Sequence, residues 1–229
     1  MANLAIIPAR GGSKRIPRKN IKDFFGKPVI AYSIETALKS GLFSEVMVST
    51  DDSEIAELAK KYGAKVPFMR SEKNSDDFAS TLDVINEVVV NYKKLENKSF
   101  ENICCIYPAA PLIDSRQILE GFNKFISQEF DSVFPVFEST NPVWRGFEIS
   151  NEGKAKLLWP EFSQSRSQDL KKVYFDAGQW YWIRFDSLKG SIFSDNSGIV
   201  LLKPEQVQDI DSESDWKLAE LKYKLIHEA

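Results

Sequence analysis

Leu4-Ala5-Ile6-Ile7-Pro8-Ala9-Arg10-Gly11-Gly12 is the stretch that decides the fold class of this chain. Four apolar residues without alternation describe a strand covered on both faces, and Pro8 with the paired glycines turns it into a loop. The same grammar repeats downstream. Ile30, Ile34, Ala37 and Leu38 fall at helical spacing within 28–40, and Gly41 supplies a stop signal. Val46-Met47-Val48 is a second strand, and Asp51 or Asp52 caps a helix through Tyr62, with Gly63 just past its end. Lys65 to Phe68 reads as a third strand, Thr81 to Leu95 as a third helix, and Ile103 to Tyr107 as a fourth strand. Ser115 to Ser127 follows as a helix and Ser132 to Val136 as a fifth strand. Such alternation predicts an α/β fold: a mostly parallel twisted sheet, flanked by helices on both faces, with right-handed crossovers. Ligands then sit beyond the carboxyl ends of the strands, along the loops that start at Pro8, Ser49 and Pro108.

The alternation stops between Glu138 and Tyr174. Runs flanking Asn151-Glu152-Gly153 suit a hairpin, and Trp144, Phe147, Trp159 and Phe162 read as exposed. A long surface loop is the simpler reading. Compact domains seldom carry that much unstructured chain, however, and exposed aromatics need a partner surface. The expectation is a core over residues 1–137 and 176–229, interrupted by a small projecting subdomain over 138–175 that packs on a second copy. Gln179 to Phe185 then reads as a strand. Asp211 to His227 reads as a closing helix with Trp216, Leu218, Leu221 and Leu225 inward.

Composition narrows the function. The 229 residues, 43% hydrophobic and 28% charged, suit one globular domain with an appendage and not a disordered or fibrous chain. A net charge of −3 offers no positive field to duplex nucleic acid. No apolar stretch approaches the ~20 residues that span a bilayer, and the N-terminus enters a strand without a signal peptide. The two cysteines, Cys104 and Cys105, adjoin in an apolar run and read as reduced packing residues. The expected compartment is the cytoplasm, with neither a nucleic-acid nor a membrane partner.

Basic residues concentrate instead in one place, with Arg10, Lys14, Arg15, Arg18 and Lys19 following the first strand. Gly11 and Gly12 let backbone N–H groups approach phosphate oxygens, and the arginines can make bidentate contacts. The spacing matches neither GxxxxGK[ST] nor GxGxxG, which removes ordinary ATPases and disfavours a dinucleotide oxidoreductase. A small polyanion such as a nucleotide triphosphate suits the cluster; a solvated basic turn is the alternative. Far downstream, Asp209 and Asp211 are two apart, so on an extended segment both carboxylates share a face. They repel unless a cation lies between them, and Mg²⁺ commonly takes one or two carboxylates plus substrate phosphates. Asp211 could alternatively cap the last helix, whose first turn is acidic. The single histidine, His227, lies at the C-terminal end, which argues against histidine base catalysis. A binding module without turnover would keep the basic loop and lack the paired aspartates.

With these motifs in this order, the chain resembles the CMP-acylneuraminate synthetase family of cytidylyltransferases over nearly its whole length. The basic loop, Ser49-Thr50-Asp51, Arg70 with Ser80, Pro108-Ala109-Ala110-Pro111 and Asp209-Ile210-Asp211 carry the resemblance. It implies a Rossmann-like nucleotidyltransferase core, a homodimer, and Mg²⁺-dependent transfer of CMP from CTP to an acidic nine-carbon sugar. It also implies a CTP-binding set of Ala9, Arg10, Gly11, Gly12, Ser13, Lys14, Arg15, Lys19, Asn20, Arg70, Ser80 and Pro108. Asn20, Arg70 and Ser80 would serve cytidine, while Asp209 and Asp211 would hold the metal and act in catalysis with Arg10 and Lys19. Tyr107, Arg166 and Gln179 would contact the sugar; an exposed hairpin arginine is the alternative for Arg166. Three stretches depart from the sialic acid branch. Tyr107 stands where Gln is frequent, Trp144-Arg145 fills the stretch of a dimer-region lysine, and the 176–182 run replaces an Asn-Gly pattern. With Arg166-Ser167-Gln168-Asp169-Leu170, that run, Asp-Ala-Gly-Gln-Trp-Tyr-Trp, points to the branch that activates pseudaminic acid, ahead of the sialic, legionaminic and keto-deoxy-octulosonic branches. Trp180 and Trp182 would shape the pocket or serve as strand core.

Overall fold

The computed structural model describes residues 2–187 and 190–227. Strand β1 (Asn3–Pro8) leads through a two-stranded ribbon, β2 (Asp23–Phe24) and β3 (Lys27–Pro28), into helix α1 (Ile30–Ser40). Next come β4 (Glu45–Ser49), α2 (Ser53–Lys61), α3 (Thr81–Leu95), β5 (Asn102–Ile106), α4 (Ser115–Ser127) and β6 (Ser132–Glu138). A second ribbon, β7 (Phe147–Ile149) and β8 (Ala155–Leu157), precedes β9 (Tyr174–Asp176), β10 (Trp180–Arg184), β11 (Ser197–Leu202) and α5 (Glu213–His227).

Among the described residues seven strands form one sheet, in the order β11-β6-β10-β5-β1-β4, with β9 added on β6. β1 is parallel to β4 and β5, and β11 to β6. β10 lies antiparallel between β5 and β6, and β9 is antiparallel to β6. Five strands therefore run one way and two the other, so the sheet is mixed and mostly parallel, as expected. Residues alternate between two layers. Ala5, Ile7, Val46, Val48 and Cys104 pack under Ile34, Ile55, Ile118 and Phe125 of α1, α2 and α4. Leu4, Ile6, Met47 and Cys105 face Ile85, Val88 and Tyr92 of α3. The two cysteines are thus free, buried and on opposite faces.

Local signals explain most of the boundaries. Gly41, at φ 66, ends α1 in the left-handed region that glycine enters without cost. The cap of α2 is Asp52 and not Asp51, its carboxylate accepting from Ile55 N at 3.0 Å. The expected strand at Lys65–Phe68 is absent. Lys65 makes a single parallel bridge to Met47, and Pro67, lacking an N–H, cannot extend the ladder.

The closing helix also differs from expectation. α5 buries Trp216 and Ala219 and packs Tyr223 against a cluster around Phe24, Tyr32 and Ile210. Leu218, Leu221 and Leu225 stay 43, 65 and 60% exposed. Phe24 takes Trp216 and Tyr223 edge-on at 5.6 and 5.5 Å, and this aromatic seat selects the helix face. The 138–175 stretch holds the expected hairpin, with Phe147 opposite Leu157 and Ile149 opposite Ala155. Behind it Trp144 packs on Trp159 and Phe162, so these three aromatics are half-buried while Phe147 is exposed.

At the opposite strand ends from the loops of interest, buried Glu45 accepts from Tyr92 Oη at 2.6 Å, Lys65 at 2.9 Å and Lys98 at 3.0 Å. Burial pushes its carboxyl up, but these three donors outweigh that and hold it below its ordinary value of 4.5. A depressed carboxylate stabilises the fold above the unfolded pKa, and that stability is lost as pH falls through the folded one. Glu45→Leu should cost about 1–3 kcal/mol at pH 7, chiefly from stranding the Tyr92 hydroxyl. Urea melts at pH 7 and pH 3 check this: the penalty should shrink at the lower pH.

Candidate active site

Because β4, β1 and β5 lie side by side in parallel, the chain leaves all three at one edge of the sheet. Ala9 N donates to Ser49 O at 2.9 Å and fastens the root of the basic loop to β4. Gly11 N then donates to Asp51 at 2.9 Å. A Cβ on Gly11 would lie 2.7 Å from an Asp52 carboxylate oxygen, so a larger residue here would have to displace the Asp52 side chain. Arg18 turns away from the others to Asp52 and Glu54 at the start of α2, where its Nη2 lies 3.2 Å from Asp52 Oδ1.

The remaining cations converge. Arg10, Lys14, Arg15 and Lys19 line a cleft of about 400 Å³ together with Ser13, Asn20, Pro108, Asp77 and Asp211. A neighbouring cleft of about 360 Å³ shares Arg10, Asp77 and Pro108 and adds Arg70, Ser80, Thr81 and Tyr107. A third, of about 490 Å³, shares Asp211 and adds Asp209 and Asp176. Arg10 and Asp211 thus link three adjoining hollows. A separate cleft of about 530 Å³ beside Lys27, Glu35, Asp114 and Arg116 shares no lining residue with them. Its Lys27 and Arg116 pair with Glu35 and Asp114, whereas the basic loop gathers four cations around one cleft.

Several expected ligand contacts prove to be committed within the protein. Asn20 is buried, with its amide donating to Arg10 O at 2.9 Å, so it positions the loop. Buried Arg70 donates from Nε to Ser49 Oγ at 3.0 Å, and burial lowers its pKa. Ser80 forms a capping box with Asp83, which leaves the other N–H groups of the first turn of α3 beside the cleft. Tyr107 Oη lies 3.1 Å from Thr81 Oγ1. Ala9 is fully buried, and Gly11 and Gly12 contribute backbone alone. Two proposed sugar contacts lie outside the three clefts of a single chain. Gln179 is enclosed, with its amide donating to Gln206 O at 2.7 Å, and Arg166 is exposed on the 138–175 segment.

Asp209 and Asp211 flank Ile210, which is buried in the α5 seat, so both carboxylates open onto one cleft. Capping of α5 does not consume Asp211. Ser212 and Asp215 form that cap, with Ser212 N donating to Asp215 at 2.8 Å. Asp211 accepts from Arg15 at 2.7 Å, and Lys19 Nζ lies 3.9 Å away, donating to Ile210 O at 2.6 Å. Desolvation, then the charge of Asp211, raises the Asp209 carboxyl above its ordinary 3.8. Desolvation lowers the Lys19 ammonium against the pull of these two aspartates. Two carboxylates on one cleft are donors that suit a divalent cation. No group of three or more metal-ligating acids, histidines or cysteines exists among the described residues, so such a cation would draw its other oxygens from substrate and water.

Residues 4–215 match the family model described as cytidylyltransferase. The chain belongs to the cytidylyltransferase family. Its curated relatives include a pseudaminic acid cytidylyltransferase from Campylobacter jejuni subsp. jejuni serotype O:23/36, 42% identical over all of this chain and 99% of that one. A CMP-N,N'-diacetyllegionaminic acid synthase of Legionella pneumophila is 31% identical over the same shares. Among solved structures, a CMP:2-keto-3-deoxy-manno-octonic acid synthetase complexed with CTP matches the whole of both chains with a TM-score of 0.70 and 18% identity, which shows the shared fold. This cytidylyltransferase keeps that architecture with the basic loop and the aspartate pair at one edge of the sheet. Sequence reasoning missed Asp77, which bonds Arg10 and Lys14, and Asp176, which accepts from the Tyr181 hydroxyl. Asp77 stands in an Asp-Asp step just before a helix cap, a signal that reads as turn chemistry and gives no hint of its partners.

Proposed function

We propose that this cytidylyltransferase transfers CMP from CTP to the anomeric hydroxyl of a nonulosonic acid, with pseudaminic acid as the acceptor. The observation that carries the reading is the meeting of the basic loop and the Asp209–Asp211 pair at Asp211, which lines two of the three clefts. Full-length identity of 42% to the Campylobacter enzyme supports the choice of sugar. Arg10, Lys14, Arg15 and Lys19 take the triphosphate and offset charge on departing pyrophosphate. Arg70, Ser80 and the α3 N-terminus border the cytidine end, and Asn20 holds the loop. The sugar oxygen bonds to the α-phosphorus as the bond to pyrophosphate breaks, a reaction that asks the protein mainly for positioning and charge. Asp209 and Asp211 hold Mg²⁺, which when bound neutralises phosphate charge and makes the sugar hydroxyl more acidic.

The second copy completes the sugar site in this reading. Phe147, Ile149, Tyr174 and Phe175 are exposed in and beside the 138–175 segment, and an apolar face of that kind suits a homodimer contact. Arg166, remote from the clefts of its own chain, then serves the partner's sugar carboxylate. No helix among the described residues is long and apolar enough to cross a membrane.

Pyrophosphate release from CTP and Mg²⁺, with pseudaminic, legionaminic and N-acetylneuraminic acids in parallel, tests the assignment. The expected kcat/KM with pseudaminic acid exceeds the others by about tenfold or more. Preference for another acid would keep the reaction and overturn the sugar. Release with none would remove the reading altogether, and a monomer by sedimentation would remove the role given to Arg166.

A further inference from the structure

The cations assigned above to the triphosphate already carry an anion. Asp77 lies in the turn between Asn74 and α3 and brings its carboxylate into the basic-loop cleft. One oxygen is 2.8 Å from Arg10 Nη1, and the other accepts from Lys14 Nζ. Arg10 Nη1 also donates to Asp76 O at 2.7 Å. The bond from Lys14, then that from Arg10, holds the Asp77 carboxyl below its ordinary value. Two carboxylates thus share four cations: Asp77 takes Arg10 and Lys14, and Asp211 takes Arg15 and faces Lys19.

The two differ in what could replace those bonds. Asp211 stands beside Asp209, and a metal arriving with the nucleotide would take over its charge. Asp77 has no such neighbour in the cleft. Apart from the bonds of Arg10 and Lys14 to Asp76 and Asp77, the turn that carries it is anchored at its ends. Glu87 binds Ser71 N at 2.7 Å on one side, and the Ser80 capping box fixes the other. Between them Asp76 Oδ1 accepts from Phe78 N and Ala79 N at 2.9 and 2.8 Å, so the tip keeps its own shape. Phe78 beside Asp77 is 92% exposed and packs on nothing that would hold the tip down. Solvent-exposed ion pairs of this kind are weak, and a triphosphate outcompetes a single carboxylate for two cations.

We propose that Asp77 is a resident stand-in for the β- and γ-phosphates. It holds Arg10 and Lys14 in the cleft until CTP arrives, then exchanges with the nucleotide as the 75–79 tip withdraws. The reverse exchange assists departure of pyrophosphate. This rests on the reading that the cleft binds CTP, and it makes a prediction opposite to that for a ligand-binding residue: removing the charge tightens binding.

Calorimetry on the full chain tests it with CTP, inorganic pyrophosphate and CMP, comparing wild type with Asp77→Asn and Asp77→Ala. Both variants should bind CTP and pyrophosphate about 3- to 10-fold more tightly, the scale of one or two exposed pairs. CMP, which lacks the β- and γ-phosphates, should be unaffected. Unchanged or weaker CTP binding in the variants, with the wild type binding normally, would overturn the exchange and leave the CTP site standing. An equal gain for CMP would also overturn it. Failure of wild type to bind CTP at all would remove the site reading and the exchange together. Asp77 is exposed, so matching melting temperatures should confirm that both variants fold.

Discussion

Asp211→Asn is expected to lower kcat/KM for CMP transfer by about 10³, and Asp209→Asn by a similar factor, the scale seen when a charge-stabilising group is removed. Excess Mg²⁺ should restore part of the activity of either single variant and none in the double variant. The two should part company in stability. Desolvation and Asp211 raise the folded pKa of Asp209 above 3.8. A raised carboxyl contributes stability that is present below the unfolded pKa and lost as pH rises through the folded one. Ionised Asp209 therefore costs the metal-free protein stability at pH 7, and Asp209→Asn should melt higher than wild type there. That advantage should vanish below pH 3.8, where the carboxylate is already neutral. Asp211→Asn loses an exposed pair with Arg15 and the nearby charge of Lys19 but also relieves the repulsion on Asp209, so its gain at pH 7 should be smaller than that of Asp209→Asn. Scanning calorimetry without metal checks both signs. Equal melting temperatures for wild type and Asp209→Asn at pH 7 would refute the account of Asp209.

The largest stability effect should come from the middle of the sheet. Trp182 is fully buried on β10, donates from Nε1 to Ile118 O at 3.0 Å, and stacks on Phe43 at 5.2 Å between strand and helices. Trp182→Ala removes that packing and leaves a cavity, at a cost of about 3–5 kcal/mol. Against a total of about 5–15 kcal/mol for a domain, this brings the chain close to unfolding at growth temperature. Trp182→Phe should cost less, since an aromatic ring remains and the losses are the indole hydrogen bond and part of the buried ring. Denaturant melts give both values, and a loss below about 1 kcal/mol for the alanine variant would contradict this packing. Trp180 belongs to the same layer, with its ring pressed against Gly121 of α4. Both tryptophans are therefore core residues and do not shape the pocket.

Legibility followed the range of the physics. Apolar runs, caps and stop signals act over a few residues. β1, α3 and α4 could accordingly be drawn from sequence, α3 and α4 to the residue. The motifs at 7–20 and 209–211 were equally plain, because charge density and carboxylate spacing are properties of the chain itself. The polarity of β10 was hidden. Its reversed course between β5 and β6 depends on partners more than forty residues away, and its buried sequence is the same for either direction. β11 went unread because half its apolar residues face solvent at a sheet edge, where Ile199 and Leu201 remain exposed.

The sequence by itself determined the α/β class, the basic loop, the acidic pair and, through their order, the family. Those features rest on local periodicity and on charges fixed by residue type. Tertiary structure alone decided which helix face α5 buries, that Arg18 leaves the cluster, that Asn20 braces the loop, and that Asp77 pairs with Arg10 and Lys14. Each of these is a choice among competing partners brought together by the sheet, and the energies that settle it exist only once the strands are in register.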